Sequence, residues 1–255
     1  GGCVRKSIPV THSLGLISVA EAESEAAKVV SEGIKTIKIK IGVDPKRDVE
    51  VVRAVRSAVG SQAEICVDAN EGYETAGLAI QTLRKMEQYE LKYAEQLVMG
   101  IEKLAQVATA VDVPVMADES AWNAHDIVQI IERKAAQVVS IYTTKPGGLY
   151  RAMEVAAVAR AAGLICNVNG SVETGVGNRA NIHLAAAAAA VTLSCVVPVS
   201  TNADDLEGRV GGIYYTDDLL QQSMTFKDGA IEVPDGPGFG IDVDEGKVDK
   251  YRVNK

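Results

Sequence analysis

The chain has 255 residues, 47% of them hydrophobic and 24% charged, with a formal net charge of −8. That apolar share excludes a disordered chain, and the length fits one or two domains or a single α/β barrel. The acidic balance argues against a nucleic-acid partner, and no apolar run approaches the ~20 residues that a membrane span needs.

The chain opens Gly1-Gly2-Cys3-Val4-Arg5, with neither a basic leader nor an apolar segment behind it, so no signal peptide is read. Short β-branched apolar runs then alternate with helical patterns. Strands are predicted over residues 8–12, 36–41, 64–68, 91–95, 113–118, 137–142, 164–168 and 192–197. Helices are predicted between them, over 19–32, 46–59, 75–89, 100–110, 123–134, 149–162 and 177–190. Ser18 and Asp44-Pro45 stand where helix N-caps belong, and Gly33, Gly60 and Gly163 where C-caps belong. Continuous apolar strands alternating with helices indicate parallel strands buried on both faces. Eight strands and seven helices predict a TIM-like (β/α)7β barrel over residues 1–222. An open doubly wound sheet would more often carry a GxGxxG turn after its first strand, and none is present. The tail, 223–255, has short apolar runs at 224–226, 231–233 and 241–243, broken by Asp228-Gly229 and Pro234-Asp235-Gly236-Pro237-Gly238. This predicts β-hairpins. The four cysteines lack CxxC spacing, which fits buried free thiols and a reducing, cytoplasmic location.

The chemical signal lies at the strand ends, because barrel active sites form at the C-terminal rim. Lys38-x-Lys40 ends the second strand, Asp68-Ala69-Asn70 the third, Glu95-Gln96 the fourth and Asp118-Glu119-Ser120 the fifth; Lys145-Pro146-Gly147-Gly148 follows the sixth. The steps from Lys40 to Asp68, Glu95, Asp118 and Lys145 are each about one βα unit, so five charged groups share one rim. Three converging carboxylates require a cation, and all-oxygen ligands point to Mg²⁺, with Mn²⁺ as a substitute. Such a cation would bind a substrate carboxylate and stabilise the enediolate left when an α-proton departs. Lys38 lies two residues from Lys40 and faces the same way, which would favour the neutral base form of Lys40. Lys145 would reach the opposite face of the α-carbon. Trp122 and Tyr142 lie close by without an assigned role.

Taken together with Ser171-Val172-Glu173-Thr174-Gly175, these motifs resemble the muconate lactonizing (muconate cycloisomerase) subgroup of the enolase superfamily, from Gly1 to about Gly240. The resemblance implies Asp68, Glu95 and Asp118 as Mg²⁺ ligands and Lys40 and Lys145 as the acid/base pair. Lys38 would tune Lys40 and help bind the carboxylate. Asn70 and Glu119 would support the metal, and Glu173 would line the pocket. It also implies a homo-oligomer and an N-terminal capping domain that this chain lacks, against which the tail would pack. The expected reaction is racemisation, epimerisation or cycloisomerisation of a small carboxylate. Dehydration, as of a hydroxyproline-type acid, is the second expectation. Val197-Pro198-Val199-Ser200-Thr201-Asn202 stands where dipeptide epimerases usually carry Asp-x-Asp. Two readings outside this chemistry remain open: a barrel that binds metal and carboxylate without turnover, and an aldolase using Lys145 as a Schiff base.

Overall fold

A computed structural model describes residues 2–170, 173–197, 217–222, 224 and 226–253. The chain begins with β1 (Ser7–Pro9) and β2 (Thr11–Leu14). Six helix–strand pairs follow: α1 (Val19–Ser31) and β3 (Thr36–Lys40), α2 (Pro45–Val59) and β4 (Glu64–Asp68), α3 (Ala76–Met86) and β5 (Leu91–Glu95), α4 (Ile101–Ala108) and β6 (Val115–Ala117), α5 (Ala124–Arg133) and β7 (Val138–Ile141), α6 (Leu149–Ala161) and β8 (Ile165–Val168). Then come α7 (Gly175–Ala187), β9 (Phe226–Lys227), β10 (Ala230–Glu232) and α8 (Glu245–Tyr251).

Strands β2 to β8 form one parallel sheet in chain order. Where an eighth strand is expected at 192–197, the chain makes isolated bridges instead. Val191 pairs with Cys166 of β8 and Cys195 with Val10 beside β2. Cys195 donates its N–H to Pro9 O, Thr11 donates to Cys195 O and Val196 donates to Val168 O, which joins the two sheet edges. The fold is the expected TIM-type barrel, closed by a bridging segment. Residues 198–202, compared above with the epimerase motif, lie outside the described residues, as do Ser171 and Val172.

The helices begin where the sequence supplies caps. Ser18 and Asn123 form capping boxes with Glu21 and Asp126, and Asp44 caps α2 ahead of Pro45. Each such cap contributes about 1 kcal/mol. Alternate strand residues face out and in. Ile37, Ile39, Ile65, Val67, Ala94, Val115, Ala117, Val139 and Ile141 belong to the large core packed on the helices. Cys66, Tyr93, Met116 and Val138 form a separate small cluster. Register places Lys38 beside Cys66 and Met116 beside Val138, so this second set fills the barrel interior. Polar groups that follow in step on the same face therefore project inward at the rim.

Two expectations change. The predicted strand 8–12 breaks at Val10, because Pro9 has no N–H with which to continue a ladder. Its first half becomes β1, antiparallel to β10, and only the second half enters the barrel. The tail hairpin β9–β10 turns through Asp228 and Gly229, both with φ in the left-handed region, as a tight hairpin requires. It covers the N-terminal end of the barrel, where a Cβ on Gly229 would stand 2.3 Å from Gly33 O. The second change is at 241–243, which supplies a single bridge, Val243 to Leu220, in place of a strand. Asp244 then accepts from Lys247 N and starts helix α8, which the sequence did not predict.

Candidate active site

Register carries the expected residues to one rim. Lys40 pairs with Asp68, and Asp68 with Glu95, across adjacent strands. Their side chains form a continuous chain of charges. Lys38 Nζ lies 2.8 Å from both Asp68 Oδ2 and Glu95 Oε2, and Lys40 Nζ lies 2.6 Å from Asp68 Oδ2. Lys40 also donates to Asn70 Oδ1, and Asn70 Nδ2 donates to Glu119 Oε1 at 2.9 Å. On the other side, Lys145 Nζ lies 2.7 Å from Asp118 Oδ1. Glu173 stands apart, above the β7 turn, where its Oε1 accepts from Thr144. The structure thus joins Lys38, Lys40, Asp68, Glu95, Asn70 and Glu119 in one network and Asp118 with Lys145 beside it. Glu173 belongs to the flanking wall.

The backbone around these groups is held tightly. Asn70, Glu71 and Gln96 have positive φ although none is glycine. Such conformations are strained and persist where surrounding contacts enforce them. Gly42 and Gly72 allow the β3 and β4 loops to touch, since a Cβ on Gly72 would stand 2.4 Å from Gly42 O. Asp48, fully buried, accepts from Gly42 N and from Tyr73 Oη, and Arg47 donates to Lys40 O at 2.9 Å. Gln96 Oε1 accepts from the N–H groups of Asp118 and Ser120. These contacts fix the ends of β3 and β6, which carry Lys40 and Asp118.

Burial and crowding shape the charges. Burial opposes ionisation of Lys38, yet Asp68 and Glu95 hold its ammonium well above the usual lysine range. Lys38 therefore lies as a positive charge between Asp68 and Glu95. Burial also opposes the Asp68 carboxylate, but Lys38 and Lys40 keep it below its ordinary value. Lys145 does the same for Asp118 against a similar burial penalty. Glu95 goes the other way: burial, and then Asp68 beside it, push its carboxyl up to about 8. Burial and Asp118 raise Glu119.

The donor set suits a hard divalent cation in its chemistry: three buried carboxylates from β4, β5 and the end of β6, all oxygen. Glu95 Oε2 is buried without a hydrogen bond, held only by its proximity to Lys38. Among the described residues no three Asp, Glu, His or Cys side chains stand together as a ready ligand set. Lysines provide the positive charge here.

Several contributors are missed or left open by the sequence. Asn169 Nδ2 donates to Glu95 Oε1 at 2.9 Å, and Asn167 Nδ2 donates to Asn169 Oδ1 at 2.8 Å. Their signal is present: two asparagines two residues apart, Asn167 within the apolar β8 strand and Asn169 just past its end. Tyr142 donates its hydroxyl to Asp118 Oδ2 at 2.8 Å, and its ring lies 4.4 Å from Lys145 Nζ. Val138, Ser140 and Tyr142 alternate in step, which marks Tyr142 as the inward residue at the end of β7. Trp122 is exposed, with its indole N–H on Glu119 O.

The family model described as "Enolase C-terminal domain-like" matches residues 21–247. Muconate cycloisomerase 1 of Rhodococcus opacus is 33% identical, over 100% of this chain and 66% of its own length. The N-succinyl-L-Arg/Lys racemase of Bacillus cereus is 30% identical, over 99% and 65%. The crystal structure of that racemase superposes with a TM-score of 0.89 at 29% identity, covering 100% of this chain and 65% of the other. Muconate cycloisomerase from Pseudomonas fluorescens gives a TM-score of 0.89 at 25% identity, covering 100% of this chain and 68% of the other. The chain spans about two thirds of the length of the curated relatives it matches. By the extent of these matches, the chain belongs to the enolase C-terminal domain-like family.

Proposed function

We propose that this barrel is the catalytic part of an isomerase that removes the α-proton of a small carboxylate, leading to racemisation, epimerisation or cycloisomerisation. The observation that carries the reading is the rim network. A partly accessible lysine, Lys40, ends a line of buried carboxylates, and beside that line a second lysine, Lys145, from the turn after β7, pairs with Asp118. A site that only bound an acid would need cations facing outward. Here the cations are arranged on both sides of acidic groups. The relatives are named as a cycloisomerase, a racemase and an epimerase, and making or breaking a C–H bond beside a carboxylate would serve each of those outcomes.

Asp68, Glu95 and Asp118 are the residues that would hold Mg²⁺, or Mn²⁺ in its place. When bound, the cation supplies charge stabilisation to the substrate carboxylate. The protein's own groups do the rest. Lys40, with its side chain 25% exposed, is the proton acceptor. Lys38 stays charged and fixes Asp68 and Glu95 at the wall. Asn70 ties Lys40 to Glu119, and Glu173 lines the pocket. A capping region and self-association, both implied by the resemblance, would complete the site and close it to water.

The test is α-proton exchange in D₂O in the full-length protein, over N-succinyl-L-amino acids, proline derivatives and muconolactone. Exchange that depends on Mg²⁺ and disappears in Lys40→Ala is expected. Full exchange in that variant contradicts it.

A further inference from the structure

Lys145 and Tyr142 reach Asp118 together, but they are not equally able to meet a substrate. Lys145 Nζ donates to Asp118 Oδ1 at 2.7 Å, to Asp118 O at 2.9 Å and to Ser140 O at 2.9 Å. Those three acceptors use all three N–H bonds of an ammonium. Two of them are main-chain carbonyls of the barrel wall. Its side chain is 7% exposed, and the Tyr142 ring lies against its charge. Lys40 differs: its acceptors are the side chains of Asp68 and Asn70, and one N–H remains for another partner.

The strand geometry singles out Tyr142. Strand β7 ends at Ile141, so Lys145 comes from the turn beyond it and folds back beneath the rim to Ser140. The alternation of Val138 and Ser140 makes Tyr142 the next inward position, as Lys40, Asp68 and Glu95 are on their own strands. Its hydroxyl lies 2.8 Å from Asp118 Oδ2; Tyr142 and Lys145 are both half-buried as residues, and it is their hydrogen bonds that differ.

We propose that Tyr142, and not Lys145, is the group that meets the substrate from the β7 side, donating a hydrogen bond through its hydroxyl. Lys145 is a positioning residue that holds Asp118 and the Tyr142 ring. This rests on the function proposed above and narrows it. The two sides of the substrate face unlike groups, an amine from β3 and a phenol from β7.

The half concerning Lys145 is tested without turnover. Native chain treated with sulfo-N-hydroxysuccinimide acetate is digested and read by mass spectrometry. Lys40 should be acetylated and Lys145 protected until the chain is unfolded; acetylation of Lys145 in the native chain as fast as Lys40 overturns the proposal. The half concerning Tyr142 is tested by Tyr142→Phe. This variant should keep its melting temperature within about 2 °C and lose roughly 100-fold in α-proton exchange. 3-Fluorotyrosine at position 142 retains the hydroxyl, and its ¹⁹F resonance should move when N-succinyl-L-arginine or another exchanging carboxylate is added. Exchange by Tyr142→Phe within about threefold of wild type, or an unmoved ¹⁹F signal, overturns the proposal. Wild-type protein that exchanges no member of the panel defeats the general function instead, and the acetylation result still decides the place of Lys145.

Discussion

Asp48 shows how far the site's support extends beyond the charged rim. Its buried carboxylate gathers the Gly42 N–H, the Tyr73 hydroxyl and the Arg47 guanidinium, and Arg47 in turn holds the carbonyl of Lys40. Removing one partner of a buried, hydrogen-bonded charge leaves the others unpaired. Asp48→Ala should therefore lower unfolding stability by about 3 kcal/mol, read as a fall in the urea midpoint. A midpoint unchanged from wild type would show that these groups find water instead. Residue identity alone could not reveal this. Asp48 reads in sequence as a solvated charge in the first turn of a helix, and only the approach of Gly42 and Tyr73 makes it a buried hub.

At the scale of elements, most of the fold is legible because period and caps agree. Residues 36–40, 64–68 and 91–95 are strands on the predicted spans or one residue inside them. Long-range closure is not legible. The segment near 195 reads as a strand by composition, yet meets its neighbours only through scattered bridges. The Pro9 break and the α8 helix escape for related reasons. Pro9 separates two sheets that sequence cannot show to be different. Asp244 is hidden as a cap because an apolar run precedes it. The cap at α5 supplies a prediction at this scale. Asn123 accepts from the N–H groups of His125 and Asp126. Asn123→Ala should cost about 1 kcal/mol in stability. Because the cap touches no rim side chain, exchange activity should be unaltered, and a variant that lost activity without losing stability would argue against this separation.

The whole molecule is an acidic barrel whose most buried charges converge at one end. That Asp68, Glu95 and Asp118 end adjacent strands is readable from spacing, because each βα unit returns the chain to the same rim. Their partners are less so. The sequence suggests two opposed lysines as equals and does not show that Lys145 donates to two main-chain carbonyls or that the Tyr142 hydroxyl donates to Asp118. If the carboxylates hold a divalent cation, binding should stabilise the folded state by mass action, by about 2.7 kcal/mol at a cation concentration 100 times the dissociation constant. Mg²⁺ should then raise the melting temperature by about 5 °C or more, reversed by EDTA. Asp118→Asn should shrink that rise, and a rise of equal size in this variant would place the cation elsewhere.

The central claim is that Lys40 takes a proton from the carbon beside a substrate carboxylate. The most direct measurement follows loss of the α-proton signal by ¹H NMR in D₂O, comparing wild type with Lys40→Ala under saturating Mg²⁺. The wild type should exchange at least one carboxylate, and the variant none above the enzyme-free rate. Equal exchange by the two proteins would contradict the claim.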